Sequence, residues 1–174
     1  MTTSTRPTIA PGTYRIDPHR STVAFTVREL LGVIRVRGTF AVCEGGIVVA
    51  DDPLRSTSHA TIDAGSLRTG NRRRDKDVTA PRFLDTAAYP TMTFTTTSLA
   101  SGPDGLWSLT GALTVRGITR EVALDVTDVS AVAGGCRVQA TTRVDRYAFG
   151  VTAGKGLISQ HVDITLDITA RTAG

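Results

Sequence analysis

The chain has 174 residues and a formal net charge of +4 at pH 7, and its mean hydropathy is close to zero. A chain of this length fits one domain with a single hydrophobic core. No apolar run approaches the roughly 18 residues that a membrane-spanning helix needs, and the balance of apolar and charged residues is typical of globular proteins. Composition therefore excludes a helical membrane protein and wholesale disorder, while the net charge permits anionic partners without requiring one.

The residue types favour strands over helices. The sequence contains 28 threonines and only 3 glutamates, and valine is frequent throughout. β-Branched residues pack well on a pleated sheet, whereas strong helix formers are scarce in this chain. The chain is therefore predicted to be an all-β protein.

Eight segments alternate apolar and polar residues, which is the pattern of a strand with one buried and one solvated face. They end at glycine, proline, aspartate or asparagine, and the pair Gly45-Gly46 is interpreted as the turn between the second and the third. The third of these segments is broken by Asp51-Asp52-Pro53. In chain order the predicted strands cover residues 14–28, 34–42, 47–63, 91–99, 106–115, 122–126, 138–144 and 162–170.

One segment breaks the alternation and predicts a helix between the third and fourth strands. It runs from Asn71 to about Asp85, is highly charged, has Asn71 as its N-cap, and carries a tail broken by Pro81. Short turns such as Gly134-Gly135 and residues 102–105 indicate antiparallel neighbouring strands, and closure of the sheet removes its exposed edges. The sequence therefore predicts an eight-stranded antiparallel barrel with one helix.

The barrel is predicted to form a single domain at residues 13–171. A flexible N-terminal tail, rich in threonine, serine and proline, is predicted at residues 1–12. These first residues lack the apolar core and cleavage pattern of a signal peptide, which predicts a cytoplasmic location.

The sequence carries no complete catalytic motif. Residues 150–156 resemble a phosphate-binding loop, but the segment is one residue short between its glycines and lacks the hydroxyl residue that would hold magnesium. No nucleophile elbow of the form Gly-x-Ser-x-Gly occurs. We therefore predict no catalytic residue and no enzyme activity.

The side chains that usually bind metals are isolated along the chain. His19, His59 and His161 have no second ligand at metal-binding spacing. Cys43 and Cys136 fit neither a disulfide framework nor a four-ligand zinc site, and both are interpreted as small buried hydrophobic residues. The chain is therefore predicted to contain no metal site and no other cofactor.

The interior of an eight-stranded barrel is filled by side chains or holds one small ligand. Here the residues predicted to face inward are mostly valine, alanine, isoleucine and glycine, with few bulky rings, which favours a residual apolar cavity. Ordinary core packing is the alternative interpretation for each of them. The candidate ligand-binding residues on the inner face are Phe25, Val27, Val36, Phe40, Met92, Phe94, Leu113 and Val115.

Several short stretches, taken in their order and spacing, carry a family resemblance. They are residues 14–17 (YRID), 21–25 (STVAF), 36–40 (VRGTF), 74–75 (RD), 82–85 (RFLD), 89–90 (YP), 92–94 (MTF), 111–119 (GALTVRGIT) and 146–151 (RYAFGV). Together they resemble the YceI-like, lipocalin-like polyisoprenoid-binding proteins from about Gly12 to Arg171. The resemblance implies a lipocalin-like barrel with a helix by its opening, and non-covalent storage or transport of isoprenoid lipids such as prenyl quinones or polyprenyl phosphates.

Three positions depart from that family. Its members commonly have histidines where this chain has Arg20, Glu29 and Asp77, so fixed charges replace groups that switch near neutral pH. A protonation role of those histidines is therefore not carried over to this chain. Arg20 and Glu29 are predicted to form a weak surface pair at the end of the first strand.

Three functional hypotheses follow. The first is a binding protein whose apolar bore sequesters an isoprenoid or similar long-chain lipid, with Arg74 at the mouth as a contact for the head group. The second, from another class, is a small hydrolase or isomerase that uses carboxylates such as Asp75 or Asp77. The third is a stress-related interaction module in which the barrel is only a scaffold.

The predicted partner is the isoprenoid lipid, either a prenyl quinone or a polyprenyl phosphate. No nucleic acid is expected, because the few aromatic residues are dispersed among the strands and supply no stacking surface. A homodimer is left open.

Overall fold

The alternating segments form ten β-strands in the part of the chain that the structure describes, residues 9–102 and 106–173 of a computed structural model. One helix, α1 (Arg72–Thr79), lies between the fifth and sixth strands. The strands are β1 (Gly12–Ile16), β2 (Thr22–Glu29), β3 (Ile34–Phe40), β4 (Val42–Val49), β5 (Thr57–Asp63), β6 (Thr91–Ser101), β7 (Trp107–Val115), β8 (Ile118–Val132), β9 (Gly135–Asp145) and β10 (His161–Thr172).

All strand pairs are antiparallel, and the sheet closes because β10 pairs with β1. The ten strands occupy eight positions around the barrel. β1 and β2 both pair with β10 and are separated only by a short 3-10 turn at Pro18–Arg20, so they share one position. β3 and β4 meet at Ala41 and share another, with β3 beside β2 and β4 beside β1. The predicted eight-stranded antiparallel barrel is therefore confirmed.

The helix differs from its prediction in length and in place. The Asn71 side chain accepts a hydrogen bond from a backbone N–H of the first turn at 3.1 Å, as an N-cap does. The helix ends at Thr79 and not near Asp85, because Pro81 disfavours helical backbone at the residue before it, which is extended. The placement between strands 3 and 4 is also wrong, because the helix follows β5. The first predicted strand contains both β1 and β2, and the second contains β3 and the start of β4, so the strand count before the helix is higher than predicted.

Gly45 and Gly46 lie inside β4 and do not form the predicted turn. A side chain at Gly45 would come within 2.6 Å of Ile16 Cδ1 in the neighbouring strand β1. Glycine is therefore required there for the close approach of a strand and not for a change of direction. The third predicted segment, residues 47–63, belongs to two strands, which are separated around the break predicted at Asp51-Asp52-Pro53: residues 47–49 end β4, and β5 begins eight residues later at Thr57.

Two predictions about single side chains are also wrong. Cys136 is buried as predicted, but Cys43 is exposed, because Val42 before it faces the core and successive strand residues face opposite sides. Arg20 and Glu29 do not pair. Arg20 precedes β2 and Glu29 is its last residue, so the two lie more than about 20 Å apart along an extended strand.

Two groups of buried apolar side chains fill parts of the barrel interior. One is built mainly from strand residues and includes Tyr14 and Cys136. The other includes Phe83, from the segment after α1, and Phe149, from the segment after β9. Val115 packs against both groups, which places the C-terminal end of β7 between them.

No helix in the described ranges is long and apolar enough to cross a membrane. Residues 1–8 of the predicted tail and residues 103–105 of the predicted turn lie outside the described residues.

Candidate functional site: an apolar cavity in the barrel

The barrel interior contains an apolar cavity of about 310 Å³. This volume is at the lower end of the range for small-molecule sites, about 300–1,000 Å³. Inward-facing residues of the strands form its wall, and residues of both buried groups, such as Met92 and Phe149, contribute to the lining. The cavity therefore lies between the two groups.

The predicted ligand-binding residues all line this cavity. Val36 and Met92 are buried, but the other apolar ones are only half-buried although they face the inside of a closed barrel. The surface that they keep accessible therefore faces the cavity, and the interior is not filled by side chains. The nine predicted residues that take part in the lining are Phe25, Val27, Val36, Phe40, Met92, Phe94, Leu113, Val115 and Arg74.

Two phenylalanine rings in the wall lie over glycines of the neighbouring strand. The ring of Phe25 covers Gly38, where a side chain would come within 2.6 Å of the ring atom Cε1. Phe94 covers Gly111 in the same way, and a side chain there would also meet a backbone oxygen at 2.7 Å. Because these glycines have no side chain, both rings lie against the wall and leave the centre of the barrel free.

Helix α1 lies against one end of the cavity, which we call the α1 end, because Arg74, Val78 and Phe83 all reach the lining there. The helix is tied to the preceding segment through Asp75, whose Oδ1 accepts hydrogen bonds from the backbone N–H of Thr69 at 3.0 Å and from its hydroxyl at 2.6 Å. These bonds and the Asn71 cap hold Arg74 in place at the lining.

The lining contains two charged side chains, Arg74 and Glu29, that have no bonding partner among the described residues. Arg74 is half-buried, Glu29 ends β2 at the rim, and neither side chain makes a hydrogen bond or ion pair with a described residue. Two hydroxyl groups of the lining are hydrogen bonded: that of Ser58 lies 2.6 Å from the hydroxyl of Thr96, and that of Thr142 donates to a backbone oxygen at 2.7 Å. Arg74 is thus a cation available to the polar end of a ligand.

A buried arginine, Arg146, also lines the cavity and is only 8% exposed. Its guanidinium donates to the backbone oxygens of Val151 and Ala153 at 2.8 Å, of Ser159 at 2.9 Å and of Ile158 at 3.1 Å. None of the described carboxylates lies within ion-pair distance of it, and burial lowers the pKa of Arg146 from its ordinary value. Four carbonyls therefore stabilise a buried charge and fix the segment between β9 and β10.

The carboxylates of the enzyme hypothesis do not reach the cavity. Asp75 is hydrogen bonded to Thr69, and Asp77 is exposed. Neither residue lines the cavity. Among the described residues, no group of three or more histidine, cysteine, aspartate or glutamate side chains is placed to hold a metal ion.

Arginine–aspartate pairs lie on the outer face of β9 and β10. Arg137 binds Asp167 through two hydrogen bonds of 2.8 and 2.6 Å, and Arg143 binds Asp163 at 2.8 Å. The hydrogen bonds from the arginines hold the pKa of both aspartates below the usual value. These pairs are solvent-exposed, so they add little stability and take no part in the cavity.

Sequence reasoning missed the loop residues that complete the lining. Phe83 and Leu84 follow α1, and Phe149 and Val151 follow β9. Alternation identifies inward-facing residues only within strands, and these four lie outside them. The stretches 82–85 and 146–151 both belong to the family resemblance, and that was the signal that could have identified them.

A model of the YceI-like domain matches residues 14–170 of this chain. The chain belongs to the YceI-like family. It is 31% identical over 163 residues to Protein YceI of Escherichia coli O17:K52:H18, a match that covers 89% of this chain and 84% of the relative. Protein YceI of Shigella flexneri is 30% identical over 163 residues with the same coverage. The resemblance inferred from the sequence stretches is confirmed.

Solved structures share the fold of this YceI-like domain. BcnA of Burkholderia cenocepacia superposes with a TM-score of 0.78 at 20% identity, covering 88% of this chain and 98% of that one. A polyisoprenoid binding domain from Saccharophagus degradans superposes with a TM-score of 0.72 at 17% identity, covering 94% of this chain and all of the other, 100%. At these identities the similarity shows a common barrel.

Proposed function

We propose that this YceI-like protein binds an isoprenoid or a similar long-chain lipid in its cavity, and stores or transports it without catalysing a reaction. The observation that supports this most is the apolar surface that the inward-facing residues keep accessible inside the closed barrel. Each CH₂ group that leaves water for such a surface contributes about 0.8 kcal/mol. The apolar lining therefore favours a hydrocarbon chain as the ligand.

The polar head of the lipid is proposed to lie at the α1 end, against Arg74. The Arg74 side chain has no partner among the described residues, and a guanidinium donates two parallel hydrogen bonds to phosphate oxygens. A quinone oxygen accepts the same N–H groups singly. A polyprenyl phosphate and a prenyl quinone both fit this arrangement.

The family and one structural neighbour support a binding role. The neighbour from Saccharophagus degradans is named a polyisoprenoid binding domain, which is the ligand class proposed here. No observation favours a carboxylate-dependent hydrolase or isomerase, or a scaffold for stress-related interactions. A cytoplasmic location remains a prediction, and a homodimer is left open.

The substitution Val115→Trp tests whether the cavity holds the lipid. Val115 lines the cavity, so we expect the indole ring to occupy the space of the ligand, leaving the fold near its original stability while uptake of a prenyl quinone falls. In a solid core the same ring would force neighbouring side chains off their rotamers, at a cost of about 1–3 kcal/mol. The measurements are the denaturation midpoint and prenyl-quinone uptake.

The matched control is Thr114→Trp. Thr114 neighbours Val115, does not line the cavity, and shares a hydrogen bond of 2.7 Å with Thr119. We expect this variant to keep its uptake of prenyl quinone. The proposal is wrong if Val115→Trp destabilises the barrel and leaves uptake intact.

A further inference from the structure

The turn between β2 and β3 exposes a cluster of large apolar side chains. Leu31 is 91% exposed, Val33 82%, Leu30 50% and Ile34 40%, and Leu157, from the segment before β10, is 60% exposed. We call these five residues the apolar tip. A soluble surface tolerates single apolar side chains, but several together mark an interaction site.

The backbone holds these side chains in a defined arrangement. Leu30 and Leu31 have φ values of 51° and 57°, in the left-handed region that disfavours residues other than glycine. The N–H of Leu30 donates to the carbonyl of Leu157 at 2.8 Å, and Glu29 forms a β-bridge with Ile158. The two parts of the apolar tip are therefore joined by backbone hydrogen bonding and form one surface.

Basic side chains border the apolar tip. Arg28 of β2 lies directly opposite Arg35 of β3, and both are exposed. Like charges in opposite positions destabilise a strand pair. Lys155 is exposed two residues before Leu157, with its ammonium 5.0 Å from the centre of the Tyr147 ring, and adds a third positive charge. Arg28, Arg35 and Lys155, the basic collar, therefore favour an anionic partner.

Neither Glu29 nor Asp163 forms an ion pair with a residue of the basic collar. Glu29 reaches the cavity lining and makes no ion pair with a described residue. The charge of Arg28 contributes to the lowered pKa of Asp163, but that carboxylate is hydrogen bonded to Arg143 at 2.8 Å. Arg28 and Arg35 have no ion-pair partner within the described ranges.

The apolar tip also borders the cavity. Glu29 directly precedes Leu30, and Ile158 directly follows Leu157, and both Glu29 and Ile158 line the cavity. Any surface that covers the apolar tip therefore also lies beside the part of the cavity rim that Glu29 and Ile158 form. Exposed leucines next to basic residues suit the interface of a bilayer, where apolar groups enter the acyl chains and cations meet the phosphates.

We propose that the apolar tip and the basic collar dock this protein on an anionic phospholipid bilayer, with the rim at Glu29 and Ile158 turned towards the membrane. The leucines and Val33 insert among the acyl chains, while Arg28, Arg35 and Lys155 bind lipid phosphates. This inference goes beyond the proposed function and does not depend on which molecule occupies the cavity.

Vesicle flotation tests the docking surface. We expect the wild type to float with vesicles of phosphatidylcholine and phosphatidylglycerol, and to bind pure phosphatidylcholine much more weakly. Leu31→Ser combined with Val33→Ser should lower the partition coefficient at least about tenfold. Arg28→Gln combined with Arg35→Gln should lower the partition coefficient about thirtyfold at low salt. High salt should likewise lower the partition coefficient of the wild type, because it screens the same charges.

Two double variants serve as matched controls. Val48 and Leu54 are 46% and 42% exposed elsewhere on the surface, so Val48→Ser with Leu54→Ser should keep wild-type flotation. Arg15→Gln with Arg55→Gln removes two exposed charges away from the tip, and should lower the partition coefficient far less than the substitutions at Arg28 and Arg35 do. Melting temperatures show that each variant is folded.

The docking proposal is overturned if the wild type does not float with anionic vesicles, or if the serine variant of the tip floats as well as the wild type. It is also overturned if light scattering shows a wild-type dimer that only the tip variant dissociates, because a second copy then covers the tip. Equilibrium dialysis of farnesol separates the two proposals. Unchanged farnesol binding by a tip variant that has lost flotation supports the docking surface, whereas flotation without farnesol binding contradicts only the proposed function.

Discussion

At the scale of single residues, Arg146 shows how this chain accommodates a charge inside the barrel. The side chain is 8% exposed, yet its donors meet the backbone oxygens of Val151, Ala153, Ile158 and Ser159. Segments without regular structure leave carbonyls unpaired, and one guanidinium satisfies four of them. The residue type alone does not reveal this role, since most arginines in the sequence lie on the surface.

We predict that Arg146→Gln lowers the free energy of unfolding by about 3 kcal/mol, because several buried carbonyls lose their donor. Denaturant titration measures the change. Arg146→Lys keeps the charge but not the planar fork, so it should recover only part of the loss. Wild-type stability in the glutamine variant would show that these hydrogen bonds do not hold the segment after β9.

At the scale of elements, alternation predicts strands where the two faces of the sheet meet different surroundings, and this is why most of the barrel could be predicted. It fails where one residue type serves two purposes. Glycines mark turns, but Gly45 allows β1 to approach β4 and Gly38 receives the ring of Phe25. The predicted end of α1 near Asp85 is wrong for a different reason. Proline disfavours helical backbone at the residue before it, so Pro81 ends the helix at Thr79.

We predict that Gly38→Ala destabilises the barrel by about 1–3 kcal/mol and reduces uptake of a prenyl quinone. The new methyl group would come within 2.6 Å of Phe25 Cε1, so the ring must turn away from the wall and into the cavity. Thermal unfolding and a binding titration measure the two effects.

The control for this substitution is Gly65→Ala. A side chain at Gly65 meets only Asp63 Oδ1 at 3.4 Å, an ordinary contact distance. Stability and uptake should both stay close to wild type there. If Gly38→Ala behaves like this control, the glycine does not keep the ring against the wall.

At the scale of the whole molecule, the sequence predicts which side chains face inward but not how much space they leave. Phe25, Phe94, Leu113 and Val115 all line the cavity, as alternation predicts. Whether such side chains meet in the centre depends on the diameter of the closed barrel and on loop residues such as Phe149, which no strand pattern places. The open interior is therefore a property of the assembled barrel.

The central claim, that the cavity holds a long-chain isoprenoid lipid, is tested most directly by mass spectrometry of the organic extract of protein purified without detergent. We predict a prenyl lipid in an amount comparable to the protein, and its absence from the Val115→Trp variant purified in parallel. A folded wild-type barrel whose extract contains no long-chain apolar molecule, and which takes up neither added prenyl quinone nor added polyprenyl phosphate, would contradict the account.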